Sequence, residues 1–265
     1  MKKIELAVIC MLLLLVSCNK EETINTVSET PKYKSSYDLS TYDQIGINHN
    51  KGLNYLLSLS YNPSDEESFH LLNTFFGYEV DESLFSGNIS GKLPQDMPAY
   101  FTNLEKEGRI KKHIVTQYFI DMYSQINSTN IFEDAGRLNI LNHIKSIENS
   151  IFGNSELDEY EKMWLLGTAS ILRHSCEYWT NETNFKAWAQ KAVNLNSKAV
   201  SVKDIYIAMY GKVWGTTIYV IQSDAFGYNE CWEIAHSGWT GYSEQQKAQL
   251  CQNYAINTSK SAYLQ

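Results

Sequence analysis

Two Glu-x-x-His pairs, Glu67/His70 and Glu233/His236, carry the residue types of a carboxylate-bridged metal site. Two such pairs with two further glutamates build the di-iron centres of ferritin-like bundles. Glu230, Glu233 and His236 also fall at successive steps of three, along one face of a helix. The same residues have plainer uses. Six histidines and frequent glutamate generate such pairs readily, Glu67 fits a capping box with Ser64, and His236 closes a helix, where the dipole favours a cation. The residues therefore lead us to expect no metal at Glu230, Glu233 and His236, and no cofactor.

His49 and His174 are the candidate catalytic bases. Each lies on or beside an apolar stripe, where burial and neighbours tune an imidazole; the structural alternative is a histidine held by one polar partner. No nucleophile elbow, H-E-x-x-H or glycine-rich phosphate loop accompanies them, so an enzyme with a carboxylate–histidine site stands as an alternative to a binding protein. Eighteen tyrosines and six tryptophans offer stacking faces for sugars, or the core and rim of a globule.

The formal net charge is −8, and −9 once Lys2, Lys3 and Glu5 leave with the leader described below. An acidic chain is a poor ligand for phosphodiester backbones. Its one compact basic group, Arg109, Lys111 and Lys112, reads as the start of a helix on a solvated surface, so nucleic acid is not an expected partner.

The elements that position these residues are helical. Ser40 or Thr41 can cap a helix burying Tyr42, Ile45, His49, Leu53 and Leu56, at steps of three and four, and Asn62-Pro63 stops it. Ser64-x-x-Glu67 opens a second, burying Leu71, Leu72, Phe75 and Phe76. Residues 77–95 are irregular, with room for a short strand pair. Asp96 caps a short helix with Pro98 in its first turn. Ile110 to Ile126, then Leu138, Leu141, Ile144, Ile147 and Ile151, mark two more. Ser155-x-x-Asp158 opens the helix bearing Trp164, Ile171 and Tyr178, and a shorter one follows near 185–195. Val202 to His236 is helical in pattern over about 52 Å, which predicts a break or kink. Gly211 and Gly215 would let another helix approach closely. The turn around Gly241 leads into a last helix, Glu244 to Leu264. The expectation is one all-α domain of about eight helices over 38–265.

Two features of the last hairpin and helix pair bear on function. Cys231 and Cys251 each lie ten residues from Gly241, so they can sit at equal heights and bond if the helices rotate to suit; the alternative is two buried free thiols. Ile205 to Ile221 is apolar apart from Lys212 and two threonines. It reads as the buried centre of a bundle, with bilayer insertion by a membrane-active effector as the alternative.

The amino terminus supplies an address. Lys2 and Lys3 precede an uncharged apolar run of 11 residues, Leu6 to Val16. That run is too short for a membrane span of about 20 residues and has the layout of a secretory signal, residues 1–17. Leu15-Val16-Ser17-Cys18 resembles the lipobox of bacterial lipoproteins, which implies a diacylglyceryl group on Cys18, a further acyl chain such as palmitate on its freed amine, and a membrane as partner. Asn19-Lys20-Glu21-Glu22 resembles the export tetrad of Bacteroidetes surface lipoproteins, which implies an outer-membrane anchor facing the cell exterior, the alternative being one facing the periplasm. Residues 18–37 are polar and read as a tether.

Gly46-x-x-His49-Asn50-x-x-Leu53 and Asp224-Ala225-x-Gly227 resemble helices of uncharacterised Bacteroidetes proteins, a likeness that brings no activity with it. Tyr228 and Cys231 stand where that pattern has smaller residues, which predicts looser packing after Gly227.

Overall fold

A computed structural model describes residues 38–78, 93–128, 131, 133–195 and 202–264. Among them the chain is all-α, with no strand: α1 (Leu39–Ser58), α2 (Asp65–Phe76), α3 (Met97–Lys106), α4 (His113–Ser128), α5 (Asp134–Gly153), α6 (Glu159–Thr180), α7 (Glu182–Leu195), α8 (Val202–Gly238) and α9 (Glu244–Leu264). The strand pair sought within 77–95 falls largely outside the described residues. So do Cys18 and the tetrad after it.

Local sequence sets the helix starts. The side chains of Asp38, Ser64, Asp96 and Asp158 each accept the backbone N–H three residues on, and losing such a cap costs about 1 kcal/mol. Three of these starts differ in detail from expectation. Asp38 caps α1, and Ser40 and Thr41 spend their hydroxyls on its carboxylate. Ser64 caps α2, but the Glu67 carboxylate turns to the Tyr61 hydroxyl (2.6 Å), leaving the box half-formed. The full capping box belongs to Asp158 and Glu161. It starts three residues after Ser155 because Asn154 first takes the Glu156 N–H in a turn.

Four helices close into a ring in which α1 packs on α6, α6 on α8, α8 on α9 and α9 on α1. Contacts fix their senses. Gly46, Asn50 and Asn54 of α1 meet Ser170, His174 and Tyr178 of α6 in rising order, so those two are parallel. Trp164 meets Asn229 while Ser175 meets Asp224, so α8 runs against α6. It also runs against α9, its partner in a hairpin. The helices α1, α6 and α9 therefore all begin at the same end. Around this ring, α2 packs on α9, α5 and α7 on α6, and the α3–α4 pair on α5, α6 and α8.

The ring closes tightly because a glycine stands at each of its four contacts. A Cβ on Gly46 would overlap Ser170 and His174; on Gly52, Ile256; on Gly167, the Tyr228 ring; on Gly227, Thr258. The looser packing expected after Gly227 is thus not found: Gly167 makes room across the interface for the larger Tyr228. The approach proposed for Gly211 and Gly215 concerns side chains outside the described residues. The break expected in α8 is also absent. It runs as one helix for 37 residues, about 55 Å, since it contains no proline and is gripped by α6 and α9 on two sides.

Two burial patterns shift from expectation. In α2 the buried face is Ser68, Phe69, Leu72 and Asn73, because Asn73 turns inward to accept from the Asn253 amide of α9 (2.7 Å). Phe75 is left 46% exposed, stacked on Tyr55 at 4.4 Å. In α5, Leu138 is exposed and Ile140 is buried instead.

Cys231 and Cys251 are joined, with Cα atoms 5.2 Å apart, and Cys176 is a buried free thiol. The bond closes a loop of 20 residues, which the chain-entropy estimate equates to roughly 3 kcal/mol of stability. Alkylation of the unfolded protein without reductant is expected to label Cys176 but not Cys231 or Cys251, and with reductant to label all three. Equal labelling of the pair in both conditions would mean free thiols.

Candidate functional site

Deepest in the ring is a polar cluster to which every ring helix contributes: His49 from α1, Ser175 and Trp179 from α6, Asp224 from α8 and Ser259 from α9. His49, Asp224, Ser175 and Ser259 have no exposed surface, and Trp179 has 1%. The Asp224 Oδ2 accepts from Ser175 Oγ and from Trp179 Nε1 at 3.1 Å. Ser259 faces the same carboxyl and pulls its pKa down, without completing a hydrogen bond of ordinary geometry. His49 Nε2 lies 3.6 Å from Asp224 Oδ2.

The tautomer of His49 follows from its other partners. Asn50 Nδ2 donates to the His174 carbonyl (2.9 Å), which turns Asn50 Oδ1 toward His49 Nδ1 at 3.1 Å. An amide oxygen only accepts, so Nδ1 carries the hydrogen and Nε2 presents a lone pair to Asp224. A lone pair facing an ionised carboxylate would be repulsive, and the pair is neutral when Asp224 holds a proton. Burial drives both groups that way: it pushes Asp224 up to about 8 against the pull of Ser175, Ser259 and Trp179, and lowers His49 to about 4, over the opposing pull of Asn50.

This cluster meets the surface through His174. Its Nε2 contacts Asp43 Oδ1 at 2.8 Å. Arg173 binds the same Asp43 carboxylate and Glu148 Oε1, the latter at 3.0 Å. The Asp43 carboxyl stays below the usual carboxylate range: His174 and Arg173 outweigh the burial that would raise it. His174 is thus engaged, and neither candidate histidine stands beside a nucleophile open to a substrate.

The other candidates are spread out. Glu233 pairs with Arg109. His236 is exposed, its ring 3.8 Å from that of Tyr160. Glu67 is bonded to Tyr61. Among the described residues, no three His, Cys, Asp or Glu side chains are grouped to hold a metal ion. Lys112 of the basic group binds Glu161 (2.5 Å) and the Glu156 carbonyl (2.6 Å).

A second polar feature is open. Where α1, α6 and α9 begin together, a cleft of about 300 Å³ is walled by Gln44 and Asn48 of α1 and by Gln245, Gln249 and Gln252 of α9, over a floor that includes Ile45 and Met163. Sequence reasoning missed it, although the amides are periodic: 44 and 48 are one turn apart, and 245, 249 and 252 follow at steps of four and three. It also missed Asp224 as the cluster's centre, although an acidic residue one turn from Val220 and Ile221 and directly before Ala225 and Phe226 shares a helix face with apolar residues.

Comparison with protein-family models, with curated proteins and with solved structures finds no match to this chain.

The His49–Asp224 pair makes a pH-dependent contribution to stability. The unfolded reference values are about 3.9 for Asp and about 6.5 for His. Between about pH 4 and 6.5 the proton that folded Asp224 retains is balanced by the one that folded His49 refuses. From about 6.5 to about 8 the folded chain holds one proton more than the unfolded chain, so this pair's contribution falls by about 1.4 kcal/mol per pH unit, some 2 kcal/mol in all. Urea denaturation of Asp224→Asn is expected to lack that alkaline decline. An unchanged decline in the variant would place the titration elsewhere.

Proposed function

We propose that the protein is a lipid-anchored binding protein, held on the outer membrane through Cys18, displayed to the exterior by Asn19-Lys20-Glu21-Glu22, and recognising its ligand through the α-helical domain that follows the tether. The observation that carries the binding half of this reading is the contrast between the two polar features. The side chains with catalytic potential, His49, Asp224 and Ser175, are sealed from solvent and occupied with one another. The open cleft is lined by amides, which recognise without reacting. A general base must reach the proton it removes, directly or through one water, and His49 reaches only the interior.

The anchoring half rests on the lipobox. Among the described residues no helix is long and apolar enough to cross a membrane. A lipid is then the feature of this chain that would hold it there, and two or three acyl chains make a stable anchor.

Replacing Cys18 with Ser is expected to move the protein from the membrane fraction to the soluble fraction, or to leave the leader uncleaved. Unaltered fractionation and size on a denaturing gel would reject lipidation. For display, protease added to intact cells is expected to degrade the protein, and Lys20→Ala with Glu21→Ala and Glu22→Ala is expected to protect it. Full protection before and after those changes would turn the domain inward.

A further inference from the structure

We propose that the cleft between the first turns of α1 and α9 is a binding site for an uncharged saccharide. This inference rests on the reading of the domain as a binding protein and gives that reading a ligand class.

The walls come from matching helical faces. On α1, Thr41, Gln44, Ile45 and Asn48 occupy positions i, i+3, i+4 and i+7 of one face; on the parallel α9, Gln245, Ala248, Gln249 and Gln252 do the same. Because the two helices run in the same sense, their amides face one another across the gap. Gln44 Nε2 donates to Asn48 Oδ1 at 2.6 Å, which leaves the Gln44 oxygen for a ligand, while the Asn48 amide also faces the Tyr78 hydroxyl.

Gln252 shows that the site is built to be filled. It has no exposed surface, yet neither its Oε1 nor its Nε2 makes a hydrogen bond. The Tyr78 hydroxyl is close enough for Gln252 and Asn48 to affect its pKa, but it does not satisfy the Gln252 amide. A buried amide with both ends unpaired costs about 1–3 kcal/mol for each group left so, a cost a ligand would remove.

The chemistry of the lining selects the ligand. Each carboxamide offers donors and an acceptor side by side, and each sugar hydroxyl is likewise both donor and acceptor, so five amides match a polyol. Among the described residues, no charged side chain lines the cleft. The helix starts around it would favour an anion through their dipoles, but Asp38, Asp158 and Glu244 stand at those starts and offset that pull. A volume of about 300 Å³ is at the small end for ligand sites, which suits a short sugar rather than a folded partner.

The test is isothermal titration calorimetry of the full chain with maltotriose, cellotriose, xylotriose, mannotriose and chitotriose at millimolar concentrations. Parallel arms use a galacturonic acid trisaccharide and an uncharged Gly-Ser peptide blocked at both ends. At least one neutral sugar is expected to bind. Gln252→Leu and Gln249→Ala are each expected to weaken it tenfold or more, about 1.4 kcal/mol. Gln252→Leu also separates a ligand role from a structural one: removing an orphaned amide is expected to leave the melting temperature unchanged or raised, whereas loss of a structural amide would lower it. The proposal is overturned if no neutral sugar binds, if the uronic acid or the peptide binds in preference, if both variants bind as the parent does, or if Gln252→Leu melts earlier. Fractionation of Cys18→Ser and protease treatment of cells report on anchoring alone, so failure here leaves that part of the functional reading standing.

Discussion

The constraint on which the rest of the structure depends is a carboxyl group with no path to water. Asp224 sits where four helices meet, and an isolated carboxylate there would carry a desolvation cost of several kcal/mol. The fold meets that cost in two ways. Burial holds the proton on the group, and Ser175 and Trp179 both donate to its Oδ2. These partners are short or rigid, so they reach Asp224 only if α6 and α8 lie close together at one relative height. The glycines at the ring contacts permit that closeness. Glycine contacts and central cluster are thus one device: small residues bring the backbones in, and the polar cluster sets how far each helix slides and turns.

A second polar layer repeats the principle one step out. Asn229 of α8 accepts from Trp164 Nε1 and Thr168 Oγ1 and donates to the Tyr123 hydroxyl of α4, so its oxygen and its amide nitrogen are both used. At the periphery, buried lysines secure chain turns. Lys191 donates to the carbonyls of Leu59 and Tyr61 just after α1, and Lys260 to the Pro63 carbonyl and Ser68 Oγ at the start of α2. Burial depresses the pKa of both, and the carbonyls they meet are backbone acceptors that would otherwise lack partners. Satisfied networks of this kind specify one arrangement of helices more sharply than apolar packing does.

The ring also explains why the two polar features differ. Where the three parallel helices begin, α1 and α9 turn the hydroxyl of Ser40 and the amides of Gln44 and Gln245 toward an open cleft floored by Ile45 and by Met163 of α6. Further along, the same helices present Leu53, Leu56, Ile171, Leu172, Ala255 and Ile256, which exclude water entirely. His49, Asp224 and Ser175 fall in the closed part and hydrogen-bonding neutral residues in the open part, which is the basis for reading the domain as a recogniser.

The sequence by itself determined the all-α class and most helix limits, because helical periodicity and capping are local: Tyr42, Ile45, His49, Leu53 and Leu56 lie buried as their spacing requires, and Asp96 with Pro98 starts α3. It also placed Cys231 and Cys251 at equal heights, since a hairpin's symmetry about its turn is a matter of counting. It left open whether they bond, because bonding depends on helix rotation, which α6 and α9 impose on α8. Only the tertiary structure decided that Asn73 rather than Phe75 faces inward, that the buried His49 meets Asp224, and that Glu233 and His236 part company. Each of these depends on a partner more than a hundred residues away in the chain, or on which helices run parallel. Spacing along one helix carries no record of what stands across from it.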